Sequence, residues 1–409
     1  MAASGITLAT LRINKELLMA SVCFYFQIHQ PFRLRRYSVF DTAANYFDDH
    51  RNAAILDKVA QKCYLPATEL ILEQVRKHKG KFRVAYSITG CVMEQLRDHC
   101  PKMIDLLKQL ADTGCVEFIG ETYYHSLAFI YSRAEFHAQV DMHAKLMLDT
   151  LGQTPTIFRN TELIYNNELA REIAATGRYK GIIAEGVDKI LGYRSSNYAY
   201  WPASNKDILL LLKNYRLSDD IAFRFSNSSW SEWPLTAEKF AKWVNQINGD
   251  GYFCNLFMDY ETFGEHQWKD TGIFDFLSAL PQEVLNAGND FKTPSQCVDA
   301  HEPVGEYDVP HMISWADTER DLSAWQGNAM QSNALHELYK LEAVVKTTGD
   351  EKLLADWRKL STSDHFYYMC TKYFSDGDVH KYFNPYESPY DSYINFMNVL
   401  DNLRTRAEA

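Results

Sequence analysis

Through the first two-thirds of the chain, short and nearly continuous hydrophobic runs alternate with stretches whose apolar positions recur every three or four residues. The runs at residues 22–28, 82–88, 116–119, 156–158, 181–184, 221–225 and 253–258 predict seven β-strands. Between them, the helical spacing predicts helices at 64–77, 102–113, 133–151, 167–176, 205–214 and 237–248. Such alternation implies parallel strands joined by crossover helices. Strand runs that are apolar on both faces favour a closed barrel or a doubly wound sheet over a sandwich. After about residue 270 the pattern changes to helical spacing at 321–348, 351–373 and 390–406, which predicts a C-terminal helical bundle. Residues 286–310, with three prolines, read as a long loop.

The polar residues select the barrel. His29 and Gln30 follow the first run, Glu121 and His125 the third, Arg159 and Glu162 the fourth, and Asp259 and Glu261 the seventh. All stand at C-terminal strand ends, which share one face in a parallel barrel and bring distant positions together. A doubly wound sheet concentrates function at one switch point, and no Gly-x-Gly-x-x-Gly or P-loop follows any strand. The fold expected is therefore an α/β, seven-fold (β/α) barrel followed by a helical bundle. Its parts are a dispensable leader at 1–20, with Met19 as the natural start, a catalytic barrel at 21–285, and a loop and helical region at 286–409 that completes the active site.

Asp259, Glu261, Glu265 and His266 crowd the end of the last apolar run. Each unpaired charge taken out of water costs several kcal/mol, so these groups serve a ligand, a metal or each other. A formal net charge of −11 argues against nucleic acid or an anionic membrane as partner. Eight scattered cysteines without a Cys-x-x-Cys pair read as reduced, cytoplasmic thiols. No apolar run is long enough to cross a membrane. His29, His125 and His266 lack the His-x-x-x-His or His/Asp pattern of an open metal site, so neither metal nor other cofactor is expected. Oligomeric state is not encoded in any of these features.

Five segments in order, 26–31 (FQIHQP), 118–125 (FIGETYYH), 158–163 (FRNTEL), 255–268 and 313–328, resemble the signature regions of glycoside hydrolase family 57, most closely its α-amylase branch. The resemblance implies a retaining enzyme that cleaves α-1,4-linked glucans such as glycogen, starch dextrins or maltooligosaccharides, with Glu162 as nucleophile and Asp259 as general acid/base. Retention calls for the two carboxyls about 5–5.5 Å apart. A 4-α-glucanotransferase or branching activity on the same glucans, and a non-catalytic glucan-binding protein, are the alternatives.

Arg159, three residues before Glu162, would hold it ionised, and Met258, Tyr260 and Phe263 would raise the Asp259 pKa by desolvation. His29 would bond a sugar hydroxyl, with Gln30 helping or bracing the turn. Glu121 fits either a hydroxyl contact or a structural ion pair, with His125 backing it or facing the cleft. Glu261 and His266 would orient Asp259 or contact sugar, and Glu265 reads as a solvated or ion-paired loop residue. Trp315 would be a stacking platform, Asp317 and Glu319 hydroxyl acceptors, and Trp325 core.

Overall fold

The computed structural model describes residues 19–372 and 384–409. The first eighteen residues, most of the predicted leader, and Tyr373, the end of one predicted helix, lie outside the described residues.

Seven parallel strands form the barrel: β1 (Ser21–Ile28), β2 (Val84–Ile88), β3 (Val116–Phe118), β4 (Ile157–Arg159), β5 (Gly181–Glu185), β6 (Leu209–Lys213) and β7 (Phe253–Asp259). β1 pairs with β2 on one side and β7 on the other, with Tyr25 opposite Ala85 and Gln27 opposite Asp259. β2 continues to β3, and a Gly120–Phe158 bridge carries the wall to β4. From β4 it runs through β5 to β6. The ring closes where the Asn214 amide donates to the Asn255 carbonyl at 2.9 Å and the Asn255 side chain donates to Leu212 O at 2.9 Å.

The period-two alternation of a strand sorts the side chains. Cys23, Tyr25, Ala85, Ile157, Ile183, Leu211 and Phe257 fill the barrel interior. Val22, Phe24, Phe26 and Ile28 point outward into a core shared with the surrounding helices. Both faces of the wall are therefore dry, which is why the strand runs lack polar alternation.

Two predicted elements exchange identity. Residues 205–214, expected as helix, contain β6, and 221–225, expected as strand, finish the helix Tyr215–Ala222 and form the turn after it. Four consecutive leucines carry good helix propensity but suit a wall buried on both sides equally well, and a run this short has no resolvable period. Asn214 then stops the strand and caps the helix, accepting from the Leu217 amide at 3.2 Å. The short antiparallel strand Ala199–Pro202 beside β6 was not anticipated.

The stretch 286–310 is more than a loop. It adds Asp290–Phe291 to β1, supplies the helix Pro294–Ala300, and pairs Glu306–Tyr307 with Ala199–Pro202. Cys297 of that helix joins the interior cluster and closes the barrel at the strands' N-terminal end. Gly181 makes room for it, since a Cβ there would stand 2.8 Å from Val298 Cγ2.

The C-terminal helices, including Ala329–Lys340, Glu351–Leu360, Ser363–Tyr367 and Pro389–Glu408, pack on the β4–β6 side around Trp325, Leu338 and Trp357. The predicted helix 351–373 is broken at Thr362, which bridges to Ser126 near the barrel mouth. That break brings the next helix to the site.

Candidate active site

The C-terminal strand ends open into a cavity of about 710 Å³, a size that accommodates a small ligand. His29, Gln30, His125, Glu162, Asp259, Glu261, His266, Trp315 and Asp317 all line it. Glu121, for which a hydroxyl contact was one of two readings, Arg159, and Glu319, expected as a hydroxyl acceptor, do not. Glu121 and Arg159 are completely buried inside the barrel beneath the cavity, and Glu319 is on the surface with Lys372 Nζ 3.5 Å away.

Glu162 stands just past β4 in the single 3-10 turn Thr161–Leu163. Its φ of 57° and the 51° of Leu163 are left-handed, a conformation that costs an L-residue about 1–2 kcal/mol. His125, Asp317 and Arg320, also at this mouth, share it; among described non-glycine residues only Lys79 does so elsewhere. Such strain persists where surrounding bonds over-determine the chain. Here the Trp315 amide donates to the Glu162 carbonyl at 3.1 Å. The carboxylate takes bonds from His125 Nε2 at 3.1 Å, Trp315 Nε1 at 2.7 Å and Ser363 Oγ at 3.3 Å. Burial pushes its pKa up, but the His125 bond and charge, the Arg159 charge and the Trp315 bond outweigh burial and hold it below the ordinary value.

Behind Glu162 lies a buried charge relay. Glu121 accepts from Ser87 Oγ, from Gln27 Nε2 at 3.2 Å, from His125 Nδ1 at 3.2 Å and from Arg159 Nη1 at 3.3 Å. Against the cost of burial, the His125 bond and the Arg159 and His125 charges push its pKa down to about 2. His125 is the converse case. Burial opposes its charge, yet bonds to Glu121 and Glu162 raise its pKa to about 9. It is therefore an imidazolium with both N–H groups donating to carboxylates, and Arg159 Nη1, 3.3 Å from Nδ1, is a like-charged neighbour rather than a donor to it. Glu121 is thus the structural ion pair, and Arg159 acts on Glu162 through space.

Asp259 ends β7 with the opposite bias. Burial first, and the Glu162 charge second, raise its pKa to about 6 against Arg159, Lys213 and His125. Desolvation is the leading cause, as expected, but the three neighbours named for it pack mainly on the other face of the strand. Met258, Tyr260 and Phe263 belong to the outward, helix-side core, whereas Asp259 follows Asn255 and Phe257 along the inward face. Glu261 is pushed further, to about 8, by burial and then by Asp259. It accepts from Tyr64 Oη and from Gln30 Nε2 at 3.4 Å. Gln30 also accepts from Arg33 Nη2 at 2.9 Å, so it braces the turn. His266 has its pKa lowered to about 4 by burial. Glu265 is ion-paired but not solvated, being wholly buried beside Lys58 Nζ at 2.5 Å.

One further expectation changes. The His29 ring bonds Thr89 Oγ1 at 2.8 Å and Asp364 Oδ2 at 3.0 Å, so neither nitrogen is left for a sugar hydroxyl. Trp315 uses its indole N–H on Glu162 while Lys213 Nζ sits 5.3 Å from its ring centroid. Trp325 is core, 1% exposed, with an edge on the cavity.

Several contributors were missed. Lys213 Nζ reaches Asp219 at 3.3 Å and Glu185 at 3.8 Å, and Arg320 Nε is 3.8 Å from the same Glu185 oxygen. Glu185 and Lys213 end β5 and β6, so the strand-end rule identifies Glu185 directly and would have identified Lys213 had β6 been recognised. Ser363 and Asp364 arrive from the C-terminal helices, and no local pattern marks them. Among the described residues no cluster of three or more His, Cys, Asp or Glu is arranged to hold a metal ion.

The model of the family "Glycosyl hydrolase family 57" matches residues 23–310. A protein named "Putative alpha-amylase" from Methanocaldococcus jannaschii is 42% identical over 396 residues, spanning 93% of this chain and 83% of that one. A branching enzyme from Pyrococcus horikoshii superposes with a TM-score of 0.67 at 14% identity, over 94% of this chain and 88% of the other. A 4-alpha-glucanotransferase from Thermococcus litoralis gives 0.64 at 15% identity, over 85% of this chain and 56% of the other. At those identities the two structures speak for the fold alone.

Proposed function

Because the chain belongs to glycosyl hydrolase family 57, we propose that it hydrolyses α-1,4-glucosidic bonds of glycogen- or starch-type glucans and maltooligosaccharides with retention of configuration. The observation that carries this reading is the opposite bias of two carboxyls lining one cavity, Glu162 held below its ordinary pKa and Asp259 raised to about 6. A retaining glycosidase needs one carboxylate and one carboxylic acid.

Asp259 gives its proton to the glycosidic oxygen as the bond from that oxygen to the anomeric carbon breaks, and a Glu162 oxygen bonds the same carbon from the opposite face. The leaving chain departs with a new hydroxyl. Asp259, now a carboxylate, takes a proton from water, whose oxygen attacks the anomeric carbon and releases Glu162. The imidazolium of His125 and the indole N–H of Trp315 keep Glu162 ionised and aimed. All eight cysteines are free, which supports a reducing, cytoplasmic location. No helix among the described residues is long and apolar enough to cross a membrane.

The test follows product size and anomeric configuration by NMR on a defined maltooligosaccharide, for wild type, Glu162→Ala and Asp259→Ala, with and without EDTA. Initially α-configured products, chelator-independent, and loss of activity in both variants are expected. Products first appearing as β-anomers, or full activity in Glu162→Ala, would sink the mechanism. Products longer than the substrate would replace hydrolysis by transfer.

A further inference from the structure

Asp364 belongs to the helix Ser363–Tyr367, beyond the residues matched by the family model. It nevertheless lines the cavity with 23% of its side chain accessible. Its position is tightly determined. Thr362 Oγ1 donates to the Tyr124 carbonyl at 2.9 Å and the Ser363 amide to the His125 carbonyl at 2.9 Å, pinning this segment to the strand-end loop that carries His125. Ser363 then reaches Glu162, and Asp364 lies at the next position.

A chain of hydrogen bonds orients its carboxylate. The Val92 amide donates to Thr89 Oγ1 at 3.3 Å, which leaves the Thr89 hydroxyl proton for His29 Nδ1 at 2.8 Å. His29 must then carry its proton on Nε2 and donate to Asp364 Oδ2 at 3.0 Å. A second proton on His29 is disfavoured by burial and by the His125 imidazolium stacked on it at 4.1 Å between ring centroids. Among the described residues His29 is the hydrogen-bond partner of Asp364, and it engages one carboxylate oxygen. The other remains for a ligand in the cavity. Despite burial, the neighbouring His29 and His125 hold the Asp364 pKa well below the ordinary range, so it is an anionic acceptor at neutral pH.

We propose that Asp364 is a substrate-binding residue which accepts a hydroxyl proton of the glucosyl unit whose anomeric carbon Glu162 attacks, and that His29, expected to touch sugar, is its positioning residue. The inference rests on the glucan reading above. It assigns to the helical region a direct part in sugar recognition that the barrel alone lacks.

The experiment uses aryl α-maltooligosides deoxygenated singly at O2, O3 or O6 of the glucosyl unit that bears the aryl group. kcat/KM is measured for wild type, Asp364→Asn and Asp364→Ala. A hydrogen bond to a charged group predicts that deoxygenation at one position costs wild type about 10- to 100-fold, and that the same change costs Asp364→Ala nothing further. Asp364→Asn, which keeps an acceptor oxygen, should lie between. If every deoxygenation costs the variants what it costs wild type, Asp364 does not touch the sugar and the proposal is overturned. If wild type does not cleave the parent maltooligoside, the glucan reading itself fails, a different result from additivity in an active enzyme.

Discussion

Glu162 and Asp259 are both carboxyls at barrel strand ends, and both are largely withdrawn from water, yet their surroundings bias them oppositely. Glu162 is met by three donors, one of them an imidazolium, whereas Asp259 meets burial and the charge of Glu162 itself. Burial raises both; what differs is the number of bonds made to the charged form. A polar, pre-bonded niche makes a nucleophile, and a sparsely bonded one makes an acid.

The largest test of that contrast is exchange of each carboxyl for its amide. Glu162→Gln should lower kcat by roughly 10⁴-fold or more, since no nucleophile remains, and Asp259→Asn by about 10²–10⁴-fold. Equal activity of both variants with wild type in a steady-state assay would end the assignment.

His125→Gln attacks chiefly the Glu162 side, where His125 makes a direct bond. It removes the cation between Glu121 and Glu162 and should cost about 3 kcal/mol in denaturant unfolding. Glu162 must be ionised to react, so its depressed pKa sets the acid limb of the activity profile, and the variant's limb should move to higher pH. The Glu121 contribution to stability, with a folded pKa near 2 against an ordinary 4.5, is present above that ordinary value and lost as pH falls towards 2.

Lys213→Met attacks the Asp259 side. Asp259 must be protonated, so activity falls as pH rises through about 6. Lys213 stabilises the carboxylate, so its removal should carry the alkaline limb upward by a fraction of a pH unit to one unit, while the acid limb moves less. A downward shift in the kcat profile would contradict this electrostatic account. The smallest effect is expected at Glu261→Gln. With its pKa near 8 this side chain is already neutral at the working pH, and an amide oxygen can still accept from Tyr64 and Gln30, so kcat should change less than about threefold. A tenfold loss would mean that Glu261 is ionised in the reacting complex.

The two sides also differ in how far they can be read from the residues. Glu162 and Asp259 each follow an apolar run that a barrel wall must bury on both faces, so position after a strand marked them. Glu185 follows such a run as well and was passed over. Lys213 was lost because four leucines satisfy helix and buried strand alike, and only pairing between β5 and β6 decides between them. Asp364 lies 335 positions from the histidine it bonds, inside a segment read as continuous helix.

By itself, then, the order of apolar runs and the polar residues after them determined a parallel barrel with six of its seven strands in place, the face that carries the chemistry and a set of carboxyls on it, because burial on both sides of a strand and charge at its end are local properties. The tertiary structure alone decided how each of those carboxyls is biased, that Glu121 and Arg159 are buried inside the barrel beneath the cavity, and that Ser363 reaches Glu162 while Asp364 lines the cavity. Protonation and access depend on bonds made and water excluded by segments hundreds of residues away, and no local spacing records them.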